Sequence, residues 1–204
     1  MKPSLTFWYD FASTYSWLAA ERVEALTAPA GVEVVWRPFL LGPIFVAQGW
    51  TSSPFNLFPA KGRNMWRDIE RQCAQMGLPP LVRPDPFPQH SLLAARVATA
   101  LPAEARPDFS RAVYRAQFTQ GRSIADRAVL AAILHHIGAS PDALAAADAP
   151  ETKGALRQAT DQAQSLGIYG APSFTTWSGE LFWGNDRLEQ AIAWAEQESA
   201  ARRE

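Results

Sequence analysis

The sequence predicts an α/β protein: a βαβ…ββα core interrupted by a large all-helical insertion. Three observations carry this. The first 37 residues read strand, helix, strand. From about residue 90 to residue 166 every periodic segment is helical. The β signal then returns as a hairpin followed by one last helix. Length and composition agree: 204 residues suit one domain, or a core domain with a large insertion, and 48% hydrophobic residues exclude wholesale disorder.

Leu5 to Phe11 is rich in aromatic and β-favouring residues and reads as a strand. Ala12, Ser13 and Thr14 form a small, polar turn with N-cap candidates. Tyr15 to Leu26 has helical spacing in Leu18, Ala19, Arg22, Val23 and Leu26, and Pro29 and Gly31 close it. Val32 to Arg37 is a second strand stopped by Pro38, so a right-handed βαβ unit is expected. Phe39 to Ala60 holds three prolines and two glycines and reads as a long irregular loop with a short helical turn. Loops of that length inside compact domains are uncommon and often functional. Lys61 to Met76 is helical, ended by Gly77 and Pro79, and the proline-rich Arg83 to Gln89 is extended.

Further helices follow at His90–Leu101, Ala103–Gln117 and Asp126–Ile137, then a short one from Ser140 and one at Glu151–Leu166. Ser123 and Asp126 have capping-box spacing, and Ser140 precedes Pro141 as an N-cap precedes a first-turn proline. Gly138 and Gly167 suit C-caps. Ser173–Trp177 and Leu181–Trp183 flank a short turn as a hairpin. The last helix runs from Arg187 to about Ala200, with Leu188, Ile192 and Trp194 as its expected buried side. Residues 1–41 and 168–204 therefore form the core domain, and 42–167 the loop and helical insertion.

Nineteen Lys and Arg against twenty Asp and Glu leave a net charge of −1, which argues against nucleic acid as a partner. The N-terminus lacks the features of a signal peptide, and no apolar run is long enough to cross a membrane, so a cytoplasmic protein is expected. The single cysteine, Cys73, excludes an intramolecular disulfide, a CxxC redox pair and a multi-cysteine metal site; it reads as a structural thiol. His135 and His136 are adjacent on a helix and face different ways, so no metal site is expected.

Four segments carry a family resemblance. Asp10-Phe11-Ala12-Ser13-Thr14-Tyr15-Ser16-Trp17-Leu18 resembles the D-F-x-S-P-x-S-x-L opening of 2-hydroxychromene-2-carboxylate isomerases and kappa-class glutathione transferases. Pro59-Ala60-Lys61-Gly62 is similar to their lysine-bearing segment. Gly167 to Phe174 resembles their G-V-x-G-x-P-x-F element, and Trp183-Gly184-Asn185-Asp186-Arg187-Leu188 their W-G-N-D-R-L ending, which leans toward the isomerase. Thr14 departs from the usual proline. The resemblance spans nearly the whole chain. It implies a thioredoxin-like fold with a helical insertion of the DsbA and kappa-transferase type.

Ser13, between strand and helix, places its hydroxyl near a helix N-terminus, where free N–H groups favour an anion. Plain N-capping explains the same residue. The resemblance implies more: glutathione is the cofactor, and Ser13 donates to its thiolate as the catalytic residue. It also implies that Lys61, Ala171, Pro172, Asn185, Asp186 and Ser52 bind glutathione, with a cis bond before Pro172. Asp186 and Glu189 fit a capping box as well. Tyr15, Trp50 and Trp66 are expected to wall a pocket for a small aromatic carboxylate substrate. The implied activity is a glutathione-dependent cis–trans isomerisation of 2-hydroxychromene-2-carboxylate-like substrates by a homodimer. A kappa-type glutathione transferase and a non-catalytic glutathione- or peptide-binding module are the alternatives.

Overall fold

The computed structural model of the chain describes residues 2–202. A central strand β1 (Ser4–Tyr9) leads through a tight turn into helix α1 (Thr14–Ala30) and back into strand β2 (Glu33–Pro38). Much later the chain returns to the same sheet with β3 (Ser173–Thr176) and β4 (Leu181–Trp183). The strand order is β2-β1-β3-β4. β2 is parallel to β1, whereas β3 is antiparallel to it and places Phe174 opposite Phe7. The two chain ends thus build one sheet.

Alternation along β1 divides its side chains between two cores. Leu5, Phe7 and Tyr9 enter the main hydrophobic cluster, where the Phe7 ring lies 5.4 Å from Phe174 and 4.9 Å from Trp36. Trp8 points the other way into a small cluster with Phe39, Ile44, Ala163 and Ile168, and its indole N–H donates to Thr175 Oγ1 at 2.9 Å. The main cluster runs without a break from the sheet into the insertion through Trp17, Met65, Phe109, Leu130 and Leu156. The insertion and the sheet are therefore packed around one shared core.

Between β2 and β3 lie α2 (Leu41–Ala47), α3 (Pro54–Leu57), α4 (Pro59–Gln75), α5 (Leu92–Ala100), α6 (Arg106–Phe118), α7 (Arg127–His136), α8 (Asp142–Ala146) and α9 (Pro150–Ser165). A 3₁₀ turn at Asn185–Arg187 opens α10 (Leu188–Ala201), which packs on α1 through the Arg22–Glu189 ion pair.

Several elements differ from the sequence reading. Pro29 does not end α1. It sits exposed in the last turn, where one missing N–H costs little and its fixed φ is helical. The expected irregular loop contains two helices, because α2 takes its N-terminal cap from Asp10 rather than from a neighbour. Asp126, not Ser123, caps α7, accepting from Ala128 N at 2.8 Å. Asp186 lies inside the 3₁₀ turn and does not cap α10, and Glu189 turns to Arg22 instead. Trp194 is 42% exposed; Ala191, Ile192 and Ala195 bury that helix in its place.

Candidate functional site

Ser13 stands where the strand-to-helix turn delivers it. Its N–H donates to Asp10 O at 3.0 Å, and its extended backbone makes it the N-cap of α1. Its Oγ accepts from Ser16 N at 3.1 Å and donates to Ala171 O at 2.9 Å. A serine hydroxyl has one proton, so donation to a ligand atom here requires leaving the Ala171 carbonyl. The Ala171–Pro172 bond is cis. Residues 158 apart in sequence are thereby joined at the start of the helix.

This junction lies on the wall of a cavity of about 1500 Å³, which Ser13, Tyr15, Trp50, Ser52, Lys61, Ala171, Pro172, Asn185 and Asp186 all line. Trp66 does not. Its ring packs edge-on against Phe87 at 4.6 Å and beneath the Arg83 guanidinium at 5.5 Å, so it supports the fold. Lys61 is exposed in the first turn of α4, with its ammonium 4.7 Å from the Phe58 ring and no ion-pair partner among the described residues. Ser52 accepts from Asn56 Nδ2 at 3.3 Å. Asp186 is 74% exposed and pairs with its neighbour Arg187 at 3.3 Å. Asn185 is buried.

A hydrogen-bonded chain that sequence reading missed ties these parts together. The Tyr15 hydroxyl donates to Asp68 Oδ2 at 3.0 Å, and Gln72 Nε2 donates to the same oxygen at 2.6 Å. That fixes the Gln72 amide, whose Oε1 then accepts from Asn185 Nδ2 at 2.9 Å. A carboxylate only accepts, so Asp68 sets the polarity of both amides. Asn185 Oδ1 is left buried without a hydrogen-bond partner among the described residues. Asp68 and Gln72 are four apart on α4 and therefore share a face; that spacing was the available signal. Burial and the Asp68 carboxylate both push the Tyr15 phenol well above its ordinary range.

Two glycines permit the tight geometry of the last strand's end. A Cβ on Gly170 would run into the Trp183 indole nitrogen, and Trp183 in turn packs on Tyr169 at 4.9 Å; both rings line the cavity. Gly184 has φ +111°, a region closed to most side chains, and this aims the following Asn185 and Asp186. Cys73 is buried outside the cavity, and burial pushes its thiol up to about 11. Among the described residues no group of three or more His, Cys, Asp and Glu side chains could hold a metal ion, and no helix is long and apolar enough to cross a membrane.

Residues 4–192 match the family model described as the DSBA-like thioredoxin domain. The chain belongs to the DsbA-like thioredoxin-domain family. Within reach of this family it is 28% identical to 2-hydroxychromene-2-carboxylate isomerase of Sphingobium xenophagum over 190 residues, 93% of this chain and 96% of that one. It is 23% identical over 201 residues to glutathione S-transferase kappa 2 of Caenorhabditis elegans, covering 90% and 88% of the two chains. A solved structure of 2-hydroxychromene-2-carboxylate isomerase superposes with a TM-score of 0.83 at 22% identity, covering 97% of this chain and 98% of the other. The cytosolic disulfide reductase DsbM of Pseudomonas aeruginosa, solved with glutathione, superposes at 0.65 with 16% identity, covering 98% and 100%. These structural likenesses establish the fold: a DsbA-like mixed sheet with a helical insertion.

Proposed function

We propose that this chain is a glutathione-dependent isomerase of small aromatic carboxylates of the 2-hydroxychromene-2-carboxylate kind. The observation that carries the reading is the Ser13 hydroxyl at the N-terminus of α1, joined to Ala171 beside a cis proline on the wall of a large aromatic-lined cavity. The similarity to the isomerase and to the kappa transferase supports the same reading.

The residues present suit glutathione, which carries a thiol, two carboxylates and an ammonium group. Lys61 offers a free cation for a carboxylate, and Asp186 an exposed carboxylate for the ammonium. Asn185 Oδ1 is a buried acceptor in need of a donor. Ser13 and the start of α1 suit an anionic sulfur. When bound, glutathione supplies a thiolate nucleophile that can add to a conjugated ring system and leave it again, with no net redox change.

The protein's own tasks are then binding and orientation. Ser13 turns its proton from Ala171 O to the sulfur and, with the helix end, favours the thiolate. Tyr15, Phe45 and Trp50 provide the apolar wall for the ring. A disulfide oxidoreductase is disfavoured, because Ser13 and Ser16 stand where two thiols would be needed and Cys73 is buried elsewhere.

The test is mass spectrometry of the product formed from a hydroxychromene carboxylate with glutathione present. A product of unchanged mass supports the isomerase. A product heavier by one glutathione makes the chain a kappa-type transferase. Glutathione binding without turnover of any aromatic substrate makes it a binding module.

A further inference from the structure

We propose that Asp10 is a positioning residue that sets the substrate wall of the cavity by clamping α2 to the turn that carries Ser13. The clamp itself is independent of the proposed function; only its consequence for an aromatic substrate rests on that reading.

Asp10 is buried, at 3% exposure, and, unlike the buried Glu21 side chain that Arg115 pairs, it enters none of the ion pairs among the described residues. A lone buried carboxylate is costly unless it is well satisfied. Here two backbone N–H groups satisfy it. Ala12 N, in the turn before α1, donates to Oδ1 at 2.8 Å. Leu41 N, the first residue of α2, donates to Oδ2 at 2.7 Å. Burial pushes this carboxyl above its usual range, and the two backbone donors, with Ser91 at the start of α5, oppose that rise. The N-terminus of α2 is positive, so it stands in for a counter-cation.

Of the neighbouring helices, α2 depends on this carboxylate most. It has seven residues, too few to persist alone, and its own N-cap, Leu40, makes no side-chain bond. Ile44 is its sole buried side chain. Its other ties at this end are Phe39 N to Tyr9 O at 3.0 Å, Leu40 N to Thr160 Oγ1 at 3.2 Å and Gln164 Nε2 to Pro43 O at 3.5 Å. Yet α2 supplies Leu41, Phe45 and Val46 to the cavity wall, and Phe45 supports Trp50 at 5.5 Å between ring centroids. Ser13, by contrast, keeps its bonds to Ser16 and Ala171 whatever happens at Oδ2. Asp10 therefore governs the aromatic side of the cavity more than the sulfur side.

The experiment is hydrogen exchange on the full chain, wild type against Asp10→Asn. An asparagine has one acceptor oxygen, so its NH₂ must face either Ala12 N–H or Leu41 N–H. Amides of residues 44–48, which close α2, should exchange about tenfold faster, while those of α1 and β1 keep their wild-type rates. The KM for the aromatic substrate should rise severalfold, with kcat and the glutathione Kd unchanged. Unaltered exchange in α2 in both Asp10→Asn and Leu41→Pro, or acceleration spread evenly over the fold, overturns the clamp. Selective exchange with an unchanged KM overturns its link to the substrate. No turnover by the wild type sinks the proposed function, while exchange still decides the clamp. Leu41→Pro removes the α2 donor and leaves Asp10 in place. Proline suits the first helical position, so the same selective loosening there supports the clamp, and its absence overturns it.

Discussion

Replacing Ser13 by alanine removes two bonds at once, and their sum can be worked out beforehand. Loss of the N-cap to Ser16 N costs about 1 kcal/mol. Loss of the bond to the Ala171 carbonyl costs about 1 kcal/mol more. A chain of this length loses about 2–4 °C in Tm per kcal/mol, so Ser13→Ala should melt about 4–8 °C lower. Ser13→Gly should recover part of that, since glycine tolerates the cap position at a cost of only a few tenths of a kcal/mol. The catalytic share is separate. A hydrogen bond to an ionised sulfur is worth about 1.5–3 kcal/mol, which is about 1–2 pKa units for the bound thiol. Thiolate absorbance of the glutathione complex, followed against pH, should show that rise in both variants, together with a fall in kcat of at least about tenfold. If Tm drops as expected while the thiol titration and kcat stay at wild-type values, Ser13 is a helix cap and nothing more.

Three further outcomes are expected. Asp186→Asn should weaken glutathione binding about tenfold in low salt and less in high salt, with Tm unmoved because the side chain is 74% exposed; calorimetric titration at two ionic strengths checks this. Gly184→Ala should lower both Tm and glutathione affinity, because alanine resists φ +111° and its Cβ would meet Asp186 Oδ1 at 2.5 Å. Unlike Asp186→Asn, its effect on affinity should survive high salt. Cys73, with its thiol pushed up to about 11 by burial, should resist iodoacetamide at pH 8 in the native state and react on unfolding, and Cys73→Ala should retain full turnover. Rapid native labelling with loss of activity would contradict its assignment as a structural thiol.

Much of the molecule follows from local chemistry. The alternating aromatic run of β1, the Ser13 cap, the glycine-punctuated helices and the hairpin are set by residues within a few positions of one another, so each is legible without a fold. The motifs from Asp10, Lys61, Gly167 and Trp183 likewise named the end of the cavity around Ser13 and Ala171, while much of the rest of its wall comes from the segments around α2, α3 and the start of α5. What escaped the linear reading depended on partners far along the chain. α2 is a helix because a carboxylate 31 residues earlier caps it. Trp66 faces Phe87 and Arg83 rather than the cavity, a choice that helical spacing cannot make because it fixes a face and not the neighbour beyond it. The polarity of the Tyr15–Asp68–Gln72–Asn185 chain likewise exists only once α1, α4 and the end of the sheet have met. By itself the sequence determined most of the elements and the family, because propensity, capping and motif spacing are local. The tertiary structure alone decided which helix caps which, which aromatic rings face the cavity and where the single proton of Ser13 points, because those depend on buried polar groups finding partners across the fold.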